Sequence, residues 1–372
     1  MICEHFGKCG SCTLYDLNYE EQKKFKINNS KILFKPLHIE DFTFFDSKQS
    51  HYRTRAEFSI WHDDEKISYA MHGINKKEIV KIENCPKVCE NIYNLMPKLL
   101  QFISKNQTLK FKLFSVEFLS TKDEVLVILI YHKKIDESFD KTAHELEKAL
   151  NIKVIGRSRG VKRVVSDDFI NEVLHVENLQ AKSMKYKIYD TGFVQPNSYV
   201  NGKMIDFIIS EVAKQKRDDL LELYCGHGNF TMPLSYMFDK VLATEISKTS
   251  IKSANENVIL NDIKNITFAR LSAEEFTEAW SEVREFERLK EIDLKKYNFS
   301  HILVDPPRAG LDSISINLVK RFKNIIYISC SQESLKRDLD ELVQTHKIIK
   351  FVLFDQFPYT KHIESGVVFE LK

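Results

Sequence analysis

This sequence predicts an α/β fold, with a mainly parallel sheet in the C-terminal half and an α+β region before it. Three observations carry that expectation. From residue 186 onward, short apolar runs alternate with segments of helical spacing, the pattern of repeated βαβ units. Before that point, runs mixing basic, aromatic and β-branched residues read as strands, several of them antiparallel. The length of 372 residues suits two domains at roughly 150 residues each. The change of pattern sets the expected division at 1–185 and 186–372, although no Pro/Gly-rich linker marks it.

The elements follow in order. MICEHFGKCGSC (1–12) is rich in cysteine, and the charged stretch YEEQKKFKINNSKILF (19–34) reads as a helix. HYRTRAEFSIW (51–61), FSVEFLS (114–120) and EVLVILIYH (124–132) read as strands. ESFDKTAHELEKALN (137–151) has apolar residues at helical spacing, and KVIGRSRG (153–160) is a strand entering a turn. In the second half, DLLELYCGHGNFT (219–231) runs from a buried strand through a glycine turn into a helix. KVLATEIS, NITFARLS, HILVDPPRAGLD, NIIYISCS and HKIIKFVLFD supply further strands, with a helix in SKTSIKSANENVI. Ligands of such sheets bind beyond the carboxyl ends of the strands. Those ends carry Cys225–Asn229, Glu245, Asp305–Arg308, Cys330 and Asp355–Phe357.

Composition narrows the classes. With 43% hydrophobic and 29% charged residues, the chain is neither disordered nor collagen-like nor a coiled coil. No apolar window approaches the length of a membrane span, and no basic-then-apolar leader opens the chain, so a cytoplasmic protein without membrane contact is expected. A net charge of +2 neither requires nor excludes a nucleic acid, since clustering decides that. Seven cysteines, an odd number, argue against a disulfide framework and for ligation or catalysis wherever they cluster.

Gly226 and Gly228 form a G-x-G turn directly after a strand, where glycine permits close backbone approach of a ligand. Phe230 and Thr231 follow, so the third glycine of the dinucleotide fingerprint is missing, which weakens a nicotinamide or flavin reading. Glu245 ends the next strand, where a carboxylate can accept from both ribose hydroxyls. The combination fits S-adenosylmethionine, which has a ribose but no pyrophosphate. In Asp305-Pro306-Pro307-Arg308 two prolines stiffen a loop that can aim a carboxylate and a guanidinium at a planar base. Cys330 ends another strand as a candidate nucleophile, and His362 and Glu364 are candidate proton acceptors. The bland alternatives are a surface Glu beside a glycine turn, a surface ion pair and a buried structural thiol. Their convergence on the strand ends of one sheet favours a site. The chemistry joining them is alkylation at C5 of uracil. A thiolate adding to C6 makes C5 nucleophilic toward a methyl sulfonium, and a base then removes the C5 proton.

LELYCGHGNF, VLATEIS, VDPPRAGLD, YISCSQESL and FDQFPYTKHIESG, in this order, resemble the RNA (uracil-5-)-methyltransferases. SHYRTRAEFSIWHD, LIYHKKID and FVQPN are similar to the bacterial tRNA-modifying branch. The resemblance spans residue 50 to the C-terminus. It implies a Rossmann-like class I methyltransferase domain at 186–372, an RNA-recognition region before it, and methylation of the T-loop uridine at tRNA position 54. By resemblance, Cys330 is the nucleophile and Glu364 the base; Gln195, Tyr224, Gly226, Gly228, Asn229, Glu245 and Asp305 line the cofactor site; Asp305 and Arg308 orient the uracil. One departure is the Ser331-Gln332 pair, since the family has Pro two residues after the nucleophile; altered loop stiffness is the expected consequence.

The second departure is N-terminal. Cys3, Cys9 and Cys12, with Cys85-Pro86 later, can hold a [4Fe–4S] cluster or a tetrahedral zinc, free thiols being the alternative. The spacing resembles the iron–sulfur site of the rRNA-modifying members, which keeps 23S rRNA open as a substrate. Cys89 is a spare candidate ligand, with a core position the favoured alternative. No RNA-binding barrel is expected ahead of the motif. Arg53, Arg55, Lys133, Lys134, Arg157 and Arg159 are candidate phosphate contacts, Phe58 and Trp61 candidate stacking groups, and the target uridine must flip out. An RNA-folding factor and a nicotinamide oxidoreductase remain as rival classes, and a monomer without an obligate protein partner is expected.

Overall fold

A computed structural model describes residues 1–64, 66–180 and 182–372. The N-terminal part comprises α1 (Tyr19–Phe34), β1 (Thr43–Phe45), β2 (Arg55–Asp63), β3 (Lys66–His72), β4 (Ile79–Ile82), α2 (Glu90–Ser104), α3 (Gln107–Lys110), β5 (Leu113–Ser120), β6 (Val125–Tyr131), α4 (Glu137–Leu150), β7 (Lys153–Ser158), β8 (Val161–Val164), β9 (Phe169–Val176) and β10 (Lys182–Tyr189). Strands β2 to β8, β1 excepted, form a seven-stranded sheet in the order β4-β3-β2-β5-β6-β7-β8, antiparallel except at β6–β7. Alternation in β2 sends Ala56, Phe58 and Ile60 into a core shared with α2 and α4. Strands β9 and β10 make a separate two-stranded hairpin.

The remainder comprises α5 (Ser198–Val212), β11 (Asp219–Leu223), α6 (Thr231–Leu234), β12 (Val241–Thr244), α7 (Lys248–Leu260), β13 (Ile266–Ala269), α8 (Ala273–Trp280), β14 (Phe299–Val304), α9 (Ser313–Val319), β15 (Asn324–Ser329), α10 (Gln332–Leu342), β16 (His346–Phe354) and β17 (Glu364–Leu371). Its eight-stranded sheet runs β1-β16-β17-β15-β14-β11-β12-β13. β11, β12 and β15 are buried at every position and mostly apolar because both faces of the sheet are covered. One core cluster lies on one face with α5 and the hairpin, and a second lies on the other with α8, α9 and α10.

Two features of this sheet differ from the expected six strands. β17 is antiparallel and inserted between β15 and β16. ESGVVFEL carries its apolar residues between two glutamates with no helical segment before it, so βαβ grammar does not announce it. β1 pairs in parallel with β16, and α1 packs against α10. Residues 19–45, on the N-terminal side of the division expected at 185, thus attach to the C-terminal sheet. No helix among the described residues is long and apolar enough to cross a membrane.

Candidate active site

The sheet order sets the site's layout. Strands β15, β14, β11 and β12 are neighbours pointing the same way, so their carboxyl ends form one edge. Along it lie Cys330, Asp305, the Tyr224–Gly228 turn and Glu245. With neighbouring strands ~4.8 Å apart, Cys330 and Glu245 are about 14 Å apart across the edge. Because β17 is antiparallel, its first residue lies on this same edge. Ser365 pairs with Ser329, and one residue further on Glu364 stands beside Cys330.

At the glycine turn, Gly226 and Gly228 take left-handed φ values of 57° and 87°, and Tyr224, not a glycine, takes 62°. A Cβ at Gly226 would meet no atom within 4 Å, so the space over the turn is open. Glu245 is tied in place by the backbone: Gly226 N–H donates to its Oε2 at 3.1 Å and Ser247 N–H to its Oε1 at 2.7 Å. Asn229 forms a reciprocal amide pair with Asn201, 2.8 Å in each direction. Gln195 is buried and accepts from Gln356 Nε2 at 3.2 Å. Asn229 and Gln195 therefore first hold the walls of the site. Asn257, fully buried on α7, donates to His227 O and accepts from Lys187 N–H, joining the glycine turn to the β9–β10 hairpin.

At the reacting end, Cys330 is half-buried and Glu364 is 2% exposed. Burial pushes the Cys330 thiol up to about 11, and the neighbouring Glu364 and Asp305 add to the rise while Arg308 opposes it. Burial also raises Asp305, to about 7, and raises Glu364 well above the ordinary carboxylate range, with Asp305 adding to the effect and Arg308 countering it. The thiol at rest therefore keeps its proton. Arg308 is exposed and is the one cation acting on both Cys330 and Glu364. The Asp305–Arg308 loop is braced from α10, whose Arg337 donates to Ala309 O and Leu311 O, 2.9 Å each. His362, the other candidate acceptor, is exposed and packs edge-on against Phe357, which leaves Glu364 as the carboxylate beside the thiol.

Two residues were missed from sequence. Glu222 on β11 is buried, with Oε2 lacking a hydrogen-bond partner, and burial with Asp305 nearby raises it to about 8. A charged residue inside the apolar run LLELY was the available signal. Gln332, where the family has Pro, exchanges hydrogen bonds with Ser30 of α1 and donates to Ser365 Oγ at 3.2 Å. The Ser331-Gln332 departure thus replaces a stiff ring with side-chain ties.

Of the candidate RNA contacts, Phe58 is a core residue at 3% exposure and cannot stack on a base. Arg55 is held by Glu117 and by the carbonyls of Asp190 and Gly192, and Arg157 by Asp190. These arginines support the fold. Trp61, Lys134 and Arg159 are exposed.

Cys3, Cys9, Cys12 and Cys85 line one pocket with Phe58, Met71 and Ile82. Lys87, itself buried, lowers the pKa of Cys3, Cys9 and Cys12 against the burial that raises them. Among the described residues, no group of three or more His, Cys, Asp or Glu is drawn together as a site for a metal ion.

A parallel sheet that presents a glycine turn and a ribose-type carboxylate at one end of its edge, and a thiol beside a buried carboxylate at the other, belongs to the Rossmann-like methyltransferase class. Comparison with known proteins is specific within that class. The chain belongs to the tRNA (uracil-5-)-methyltransferase family, whose model matches residues 18–372. It is 52% identical over 374 residues to the tRNA/tmRNA (uracil-C(5))-methyltransferase of Sulfurovum sp. (strain NBC37-1), covering 100% of both chains. It is 46% identical to that of Acinetobacter baylyi, covering 95% of this chain and 99% of the relative. Its fold matches the Pyrococcus abyssi tRNA (uracil-54, C5)-methyltransferase in complex with S-adenosyl-L-homocysteine, with a TM-score of 0.72, 21% identity, and coverage of 96% and 85% of the two chains.

Proposed function

We infer that this protein methylates C5 of a uridine in tRNA, with S-adenosylmethionine as methyl donor. The observation that carries the reading is the pairing of Cys330 with buried Glu364 on the sheet edge that also bears the glycine turn and Glu245, in a chain of this family. The donor supplies an electrophilic methyl sulfonium. The remaining steps belong to the protein. Glu245 and the open turn at Gly226 hold the ribose end. Asp305, raised toward neutrality, offers an O–H or a carboxylate oxygen to the uracil edge, and Arg308 draws charge toward the thiol. Cys330 loses its proton to solvent as its sulfur adds to C6, and the C5–C6 π electrons pass to a C4 enolate. C5 takes the methyl group while the C–S bond of the sulfonium breaks to leave the neutral thioether S-adenosylhomocysteine, and Glu364, as a carboxylate, removes the C5 proton. The electrons of that C–H bond form C5=C6 as the C6–S bond breaks, returning the thiolate.

We further propose the T-loop uridine at position 54 as the target; the printed name of the Pyrococcus abyssi relative supports it, and the relatives named for tRNA and tmRNA place both RNAs among the substrates to test. For the four N-terminal cysteines we propose a [4Fe–4S] cluster. What supports it is the pocket that the four cysteines share, with buried Lys87 to offset the negative charge of a four-thiolate cluster. The 1–185 and 186–372 division remains our proposal for RNA recognition and catalysis, with α1 and β1 as N-terminal elements lent to the catalytic sheet. The test is labelled methyl transfer to unmodified tRNA and 23S rRNA transcripts by anaerobically purified protein, with product mapping. 5-Methyluridine confined to tRNA is expected, and methylation of rRNA alone would overturn the substrate assignment.

A further inference from the structure

Helix α1 is unusual for a packed helix. Its buried face is Tyr19, Gln22, Lys26, Ser30 and Phe34, so the middle three positions of the stripe are polar at i, i+4 and i+8. Such groups are costly to bury unless each finds a partner, and each does, on the catalytic edge. Gln22 Oε1 accepts from Tyr359 N–H at 2.7 Å. Lys26, with side chain 1% exposed, donates to Asp355 at 2.5 Å and to Phe357 O at 3.0 Å. Ser30 exchanges hydrogen bonds of 3.1 and 2.8 Å with Gln332. The first two grip the 355–363 loop, which leads directly into Glu364, and Tyr359 sits there at a left-handed φ of 64° that needs external support. The third grips the second residue after Cys330, and Gln332 then reaches Ser365, next to Glu364.

We propose that the polar stripe Gln22–Lys26–Ser30 of α1 positions the nucleophile and the base with different weight: Ser30 through Gln332 sets Cys330 first and, by way of Ser365, the base only secondarily, while Gln22 with Lys26 sets the loop bearing Glu364. These are positioning residues, since none of them touches a reacting atom, and the proposal rests on the covalent reading given above. That reading divides the reaction into formation of a protein–RNA adduct, which needs Cys330, and its release, which needs Glu364. The two halves of the stripe therefore weigh most on different steps.

The test follows the denaturant-stable adduct between full-length protein and labelled unmodified tRNA by rapid quench, with S-adenosylmethionine present. Ser30→Ala is expected to slow adduct formation about tenfold and release by less; Gln22→Leu is expected to slow release about tenfold while leaving adduct formation within a factor of about two, each from a small misplacement of one reacting group. Thermal unfolding of each variant reads folding independently. If Gln22→Leu does not fold, Tyr52→Phe removes only the hydroxyl that donates to Pro358 O in the same loop at 2.9 Å, and slowed release alone is again expected. Equal slowing of both steps, or of neither, would overturn the positioning role. Methyl transfer by Cys330→Ala at the wild-type rate would instead overturn the covalent reading beneath it.

Discussion

Two cysteine sites in this molecule start from the same chemistry and end in different places. Burial pushes both Cys330 and Cys12 up to about 11. Around Cys330 the neighbours are carboxylates, Glu364 and Asp305, with Arg308 opposing them. Around Cys12 they are other thiols, Cys85, Cys9 and Cys3, with Lys87 opposing. A lone thiol beside proton acceptors is arranged to lose its proton only when an electrophilic carbon arrives. Several thiols around one lysine are what the proposed cluster would need, since it would take all of them as thiolates. The partner set, more than the degree of burial, separates the proposed nucleophile from the proposed ligands.

The sharpest way to break that comparison is to remove each thiol. Cys330→Ala should lower methyl transfer by at least about 10⁴-fold and abolish the adduct, as loss of a covalent nucleophile does; substitution of Cys12 by Ser should leave adduct chemistry in place and lower iron content in anaerobic protein, read by metal analysis. Next in size, Glu364→Gln should lower turnover about 10² to 10⁴-fold, the range for a positioned base, with adduct accumulating in a denaturing gel. Glu245→Ala should weaken S-adenosylmethionine binding about 100-fold in calorimetry, the cost of two hydrogen bonds to a charged acceptor, with the adduct still formed at saturating donor. The smallest effect concerns pH. A thiol raised to about 11 is protonated at neutrality, and its thiolate increases as pH rises toward that value. Alkylation of Cys330 in the absence of RNA should therefore climb about tenfold per pH unit from 7 to 9 without a plateau. Arg308→Leu removes the opposing cation and should lower the rate a further few-fold. A plateau below pH 8 would show that the thiol is not raised.

Much of the catalytic sheet was legible before the structure. The runs ending at Leu223, Thr244, Val304 and Ser329 are strands, because a strand covered on both faces must be apolar throughout, and their ends collect on one edge because parallel strands leave no other arrangement. Glu364 and His362 were both legible as candidate acceptors, and only the resemblance chose Glu364. Its place beside Cys330 comes from β17 running antiparallel between β15 and β16, a pairing that no periodicity encodes. Phe58 read as a stacking group because aromatic and basic residues share its strand, yet the pleat turns it into the core at 3% exposure. Helix α1 read as a charged helix with no partner assigned; its polar residues at Gln22, Lys26 and Ser30 are buried against the loops at the site.

Local patterning thus accounts for the strands and helices that build the edge, the glycine turn with Glu245, and the chemical identity of the nucleophile, because these depend on side-chain periodicity, glycine conformation and intrinsic reactivity. Tertiary structure decided how Glu364 comes to lie beside Cys330, which arginines are occupied within the fold, how distant Cys85 joins Cys3, Cys9 and Cys12 in one pocket, and what the buried polar groups of α1 hold. Each of these is a partnership between residues far apart in the chain, and its energy depends on burial and on the groups brought near, which a linear pattern does not contain.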